Sequence, residues 1–212
     1  MTKNKAADIL SELEILLPYA SCELDYQSEF QLLIAVVLSA QTTDKRVNIV
    51  TKKLFQKYGT AEELAQANFD DIFSLVKSLG LAKTKAQNII ALSKMLISNF
   101  SNEIPKTIAE LTLLAGVGRK TASVMLVEAF KIPAMPVDTH VERIAKRLGF
   151  ANENDDIKKV ENNLKKVIAT NRWIKAHHLF IHFGRYYCLA KKPLCGNCNF
   201  KDFCRYYKKK TN

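Results

Sequence analysis

Lys120 closes the run Leu114-Ala115-Gly116-Val117-Gly118-Arg119-Lys120, and Asp138 follows it in Val137-Asp138-Thr139-His140. An amine and a carboxylate are what attack on a sugar C1′ requires. The amine is the nucleophile, and the carboxylate stabilises an oxocarbenium-like centre and helps to move protons. Arg119 and the positive end of a helix starting at Lys120 both favour a lowered amine pKa, to which partial burial would add. A plainer assignment makes Lys120 a point charge on phosphate and Asp138 a helix N-cap. The residues alone leave both assignments open.

Gly116 and Gly118, two apart, allow a tight hairpin between helices. Without side chains they let backbone N–H groups approach an anion, and the helix that follows points its positive end the same way. A Gly-x-Gly is weak by itself. GVGRKTA in a basic, strand-free chain points to phosphate. The spacing is not that of a nucleotide P-loop, and no strand precedes it.

Four of the five cysteines fall within seventeen residues: Cys188-x6-Cys195-x2-Cys198-x5-Cys204. Clustered thiols in a cytosolic chain point to metal rather than to disulfides. Zinc ribbons place two C-x2-C pairs well apart, whereas one close pair with two longer loops favours a [4Fe-4S] cluster. Lys191, Lys192 and Pro193 would then form a basic knuckle on the longer loop. Cys22 reads as a small buried apolar residue.

A different signal lies at 37–45, VLSAQTTDK. Seven apolar residues, 32–38, suit a buried helix, yet it ends in Ser39, Gln41, Thr42, Thr43 and Asp44. Such a terminus is either an ordinary loop or a probe reaching out of a rigid scaffold. His177, His178 and His182 share an amphipathic segment with Trp173 and Phe180, and core or interface roles suit them better than catalysis.

The elements that must position these groups read as helices. The 212 residues contain only seven glycines and five prolines, and no strand-like alternation persists. Apolar residues recur at three- and four-residue spacing over 43–58, 82–99, 121–130 and 154–168, with a further helix at 139–148. Ser28, Thr60 and Thr107, each followed three residues later by Gln or Glu, fit the capping box. Gly59, Gly80 and Gly149 fit helix C′ positions. About ten short helices are expected. The Pro-bearing connector 131–136 marks a domain boundary. Leu79-Gly80-Leu81-Ala82-Lys83 faintly echoes the glycine hairpin.

The chain carries a net charge of +11. Residues 183–212 hold eight Lys and Arg against one acid, interleaved with aromatics, which favours an ordered basic module and a polyanionic partner. For Lys208–Lys210 alone a solvated tail is the better reading. The longest apolar run is seven residues, so no membrane span is expected, and the N-terminus has no secretion signal. A cytoplasmic protein follows, nucleoid-associated if bacterial.

Taken together, LAGVGRKTA, PVDTH and the cysteine spacing resemble the endonuclease III family, bifunctional DNA glycosylases and abasic-site lyases of the helix-hairpin-helix superfamily. The resemblance runs from about residue 20 to residue 205. It implies an all-α fold of two helical domains flanking a DNA-binding cleft. One is continuous over 22–132 and carries the hairpin. The other joins 1–21 to 133–212 and carries the [4Fe-4S] loop. By position, Lys120 is the nucleophile that forms a Schiff base, and Asp138 supports the charge at C1′. Gln41 enters the gap left by the flipped base, and Leu81 is an apolar wedge. Gly116, Gly118, Arg119, Arg143 and Lys191 contact DNA, Asp44 and His140 fall near the base pocket, and Cys188, Cys195, Cys198 and Cys204 bind the cluster. The implied substrate is double-stranded DNA with oxidised pyrimidines or abasic sites, handled by a monomer. Ala115 departs from the proline usual in the family and costs some hairpin rigidity.

Three further readings stand beside this one. A mismatch adenine glycosylase shares fold and cluster but lacks the hairpin lysine and carries an early-helix glutamate and an extra C-terminal domain. Residues 30–40 contain no acid. An 8-oxoguanine glycosylase of the superfamily keeps the Lys/Asp pair but usually not the cysteines. A non-catalytic, cluster-bearing redox sensor would share the basic surface but has no need of Lys120 and Asp138 together.

Overall fold

The computed structural model describes residues 1–211. In chain order the α-helices are α1 (Lys3–Leu16), α2 (Glu29–Leu38), α3 (Asp44–Lys57), α4 (Ala61–Ala65), α5 (Phe69–Val76), α6 (Ala82–Phe100), α7 (Ile108–Leu111) and α8 (Arg119–Glu128). They continue with α9 (Thr139–Leu148), α10 (Ile157–Val167), a 3₁₀ turn at Thr170–Arg172, α11 (Trp173–Tyr186) and α12 (Arg205–Thr211). No strand occurs among the described residues. The fold is all-α. The shortest elements, α4 and α7, span five and four residues, too few for a helical period to show in sequence.

Helix ends follow local chemistry, with three departures from expectation. Thr60 and Glu63 form a full capping box. Ser28 caps Gln31 N, but Gln31 Oε1 accepts from Gln27 N instead of from the cap. Thr107 caps Glu110 N, while Glu110 Oε2 accepts from the Thr107 hydroxyl. Of the three expected C′ glycines only Gly149 is left-handed, at φ 86°. Gly59 and Gly80 are not, and beside Gly80 it is Leu81 that takes φ 59°.

The chain divides into two compact units, Glu23–Ile132 and Met1–Cys22 with Pro133–Asn212. In the first, α2 lies against α3, α6 and α8, which covers it on several sides. Leu32 to Leu38 are therefore all buried, and the apolar run needs no polar face. Helices α4 and α5 pack along α6.

In the second unit α9 packs against α10, α11 and α12, and α1 against α11. Ala6, Ile9, Leu10 and Leu13 sit at helical spacing on one face of α1 and are at most 1 % exposed. That stripe seats the N-terminal helix in the core of the C-terminal half, and Leu13→Ala there costs about 2–5 kcal/mol. Phe180 is the hub, with its ring 5.3 Å from Phe150 in an edge arrangement. Phe200 in turn packs edge-on against Phe183 at 5.4 Å, anchoring the cysteine segment to α11. Cys22 is half-buried rather than buried. His177 Nδ1 donates to Pro136 O at 3.0 Å and His182 Nε2 donates to Ser21 O at 2.8 Å, so both tie chain segments together.

Candidate active site and iron–sulfur site

The glycine hairpin joins α7 to α8. Val117 N donates to Leu114 O at 3.1 Å, closing the turn. Gly116 sits at φ 77°, and a Cβ there would lie 2.7 Å from Asn88 Nδ2. Both backbone and packing therefore require glycine. Gly118 differs: its φ is −89°, and an added Cβ would meet nothing within 4 Å. Helix α8 starts there with no side-chain cap. An anion can supply that cap. Arg119 and Lys120 occupy the first turn and are exposed. Partial burial therefore does not act on Lys120.

Helix α9 begins in the opposite manner. Asp138 Oδ1 accepts from His140 N at 2.9 Å and from Val141 N at 2.8 Å. Both bonds use one carboxylate oxygen, so the cap leaves Oδ2 available. The N-cap and catalytic assignments are therefore compatible. His140 is half-buried with Nδ1 3.1 Å from Arg143 Nη2. Burial pushes its pKa down, the nearby Arg143 and Arg185 add to this, and Asp138 opposes it. A neutral imidazole results at pH 7. The Arg143 guanidinium is committed inside the unit. It donates to Gly184 O at 2.8 Å and to Cys188 O at 3.2 Å, linking the start of α9 to the first clustered cysteine.

Gln41 and Leu81 stand on adjacent turns of the first unit. Both are exposed, and both are left-handed, at φ 55° and 59°. Asp44 lies in the first turn of α3, after the Thr43 cap.

The cysteine segment wraps a cavity of about 410 Å³ lined by Cys188, Cys195 and Cys198 together with Leu16, Phe183 and Tyr187. Cys204 is buried beside them, its thiol facing Arg147 O at 3.5 Å. All four are free thiols. Thiols spread around a volume suit several irons better than one zinc. Burial pushes the Cys188 thiol up while Arg147, 3.2 Å from its sulfur, pulls the other way. Arg147 also donates to Leu189 O at 2.7 Å and Ala190 O at 3.2 Å, and its guanidinium lies 3.9 Å from the Tyr206 ring centre. The knuckle is thereby fixed from outside, with Lys191 and Lys192 exposed on it.

Arg147 and one further residue, Lys85, were not singled out in sequence. Arg147 lies four residues from Arg143 on one face of α9, a spacing that any solvated helix face also shows. Lys85 had a readable signal: it shares the buried face of α6 with Ile89, Leu92 and Leu96.

Residues 34–170 match the HhH-GPD superfamily of base excision DNA repair proteins. A wholly helical chain with a glycine hairpin opening an uncapped helix fits that class, and the molecule is a base excision DNA repair protein. Residues 188–204 match the iron–sulfur binding domain of endonuclease III. The chain is 44% identical to endonuclease III of Haemophilus influenzae over 99% of both proteins. It is 46% identical to endonuclease III of Rickettsia felis, over 96% of this chain and 94% of that protein. Its structure superposes on that of a trapped endonuclease III–DNA covalent intermediate, an estranged-adenine complex, with a TM-score of 0.96, 45% identity and full coverage of both chains. The chain belongs to the endonuclease III family. It is a DNA glycosylase and abasic-site lyase with a [4Fe-4S] cluster, and it acts on DNA. No helix among the described residues is long and apolar enough to cross a membrane.

Proposed function

We propose that the protein removes oxidised pyrimidines from duplex DNA and cuts the strand at the resulting abasic site, with Lys120 as nucleophile. The observations that carry this reading are an uncapped α8 start at Lys120 in one unit and, in the other, an α9 cap that leaves one Asp138 oxygen spare. The hairpin amides and Gly118 hold a backbone phosphate close to the main chain. The target nucleotide leaves the stack, which costs a few kcal/mol. Gln41 then fills the gap and bonds the orphaned base, and Leu81 wedges the stack, offsetting part of that cost.

The Lys120 amine, deprotonated, attacks C1′. The C1′–N bond breaks, its electron pair leaves with the base, and the base takes up the proton that the attacking amine sheds. The free Asp138 oxygen stabilises the positive charge developing at C1′. Ring opening yields the Lys120 imine. Loss of a 2′ proton then expels the 3′ phosphate by β-elimination, and water releases the enzyme. His140, held neutral, and Asp44 belong to the base pocket in this reading. Cys188, Cys195, Cys198 and Cys204 would hold the cluster as thiolates, and when bound it would cross-link residues 188–204 in addition to the Arg147 contacts. Lys191 on that knuckle and Arg119 contact phosphates, whereas Arg143 acts by positioning His140. We assign the enzyme to the cytoplasm, nucleoid-associated if bacterial, as a monomer.

Borohydride trapping tests this reading. Wild type and Lys120→Ala are mixed with duplex DNA bearing one thymine glycol or one abasic site, and reduced. A covalent adduct in the wild type alone is expected. An adduct retained by the variant would reassign the nucleophile. No adduct in either, with DNA bound, would point to a monofunctional glycosylase.

A further inference from the structure

Lys85 is 3 % exposed. Burial alone lowers its pKa, and no carboxylate contributes. Its ammonium donates to one group, Thr42 Oγ1, at 2.9 Å. The Thr42 hydroxyl donates in turn to Ala40 O at 3.3 Å, and Thr42 N donates to Ser39 O at 3.0 Å. These bonds close a turn around Gln41, whose φ is 55°. Lys85 lies one helical turn beyond Leu81, at φ 59°, and Lys85 N donates to Leu81 O at 2.9 Å. A Cβ on Gly80 would lie 3.9 Å from Gln41 O, so the two turns adjoin.

None of this favours stability. Each left-handed residue with a side chain costs of order 1–3 kcal/mol. A lysine with a depressed folded-state pKa holds fewer protons than it does unfolded at alkaline pH. Stability therefore rises as pH climbs through that window, and at neutral pH, with the group charged in both states, its burial is a cost. Two strained turns and an unpaired buried charge at one place are explained by what they position.

We propose that Lys85 is a positioning residue: through Thr42 it locks the Gln41 turn, and through α6 the Leu81 turn, into one preformed pair for DNA interrogation. This deepens the reading of Gln41 and Leu81 as the residues that enter the duplex, and it rests on that reading. Preformation matters because the gap must be filled while the base is out. A turn that first had to reach its strained conformation would add that strain to the flipping barrier.

The test uses the full-length holoenzyme with Lys85→Met, Thr42→Val, Thr42→Ser and Gln41→Ala, and a duplex carrying thymine glycol opposite 2-aminopurine. Single-turnover base release, 2-aminopurine fluorescence and Tm are read together. For Lys85→Met and Thr42→Val, base release slows about tenfold, equivalent to about 1.4 kcal/mol and within the range of the strain, and the fluorescence rise slows in step. Tm for Lys85→Met is unchanged or higher. Thr42→Ser, which keeps the hydroxyl, matches wild type. Gln41→Ala combined with Lys85→Met is no slower than Gln41→Ala alone. Independent, additive slowing, or a fall in Tm in proportion to activity, would overturn the proposal while leaving Gln41 its role. A silent Gln41→Ala would instead remove the reading of Gln41, and the proposal with it.

Discussion

Helices α8 and α9 start in opposite ways. At α8 no side chain caps the first amides, Gly118 leaves open space, and the first-turn residues Arg119 and Lys120 are exposed. At α9 the Asp138 carboxylate satisfies two amides, and His140 and Arg143 are half-buried in a network that reaches Cys188. One start awaits a partner; the other is complete apart from a single carboxylate oxygen. A helix end left unsatisfied is unfavourable for the protein alone and favourable once an anion binds, whereas a capped end stabilises the free protein. The first therefore binds, and the second holds a group in place.

The sharpest way to break this comparison is Lys120→Ala. In the proposed mechanism the trapped adduct and strand scission vanish while stability stays within about 0.5 kcal/mol of wild type, because an exposed side chain is removed. A large loss of Tm would mean that the α8 start is a structural element.

Next in size is Asp138. Asp138→Asn keeps an oxygen for the two amides but not the charge, so base release should fall by roughly 10²–10⁴-fold with little change in stability. Asp138→Ala removes the cap as well and should cost about 1 kcal/mol more in denaturant unfolding. Equal stability of the two variants would deny the cap its role.

The two hairpin glycines separate structure from binding. Gly116→Ala meets both a left-handed backbone and Asn88, and a destabilisation of about 1–3 kcal/mol is expected by thermal unfolding. Gly118→Ala meets neither, so its Tm should hold while affinity for abasic duplex drops. Matching losses of Tm would erase the distinction drawn here.

The smallest effect belongs to Lys191→Ala. Removing one phosphate contact should weaken binding about equally for damaged and undamaged duplex, and reduce the slope of log affinity against log salt by about 1. A change confined to lesion preference would move Lys191 from the backbone to the base.

Much of this was legible without coordinates, for definable reasons. Asp138 as a cap, Thr60 with Glu63, and the buried stripes of α3 and α6 depend on residues at most four apart, and local hydrogen bonding and helical periodicity set them. The cysteine spacing and the hairpin glycines are local in the same sense. Left-handed backbone was misplaced at Gly59 and Gly80 because adjoining turns decide which residue bears the strain. Leu81 bears it next to a glycine that could have done so more easily. Arg147 was not legible, since its partners Leu189 and Ala190 lie some forty residues away.

The sequence by itself determined an all-α chain, the amine and carboxylate at helix starts, and four thiols close enough in the chain to share irons. Each is a matter of residue type and short spacing. Only the tertiary structure decided that the thiols surround a volume rather than a point and that Asp138 caps with one oxygen. It alone set a buried ammonium beneath the Gln41 turn. Those depend on which distant segments pack together, and packing is settled by the burial of whole helix faces, not by any single motif.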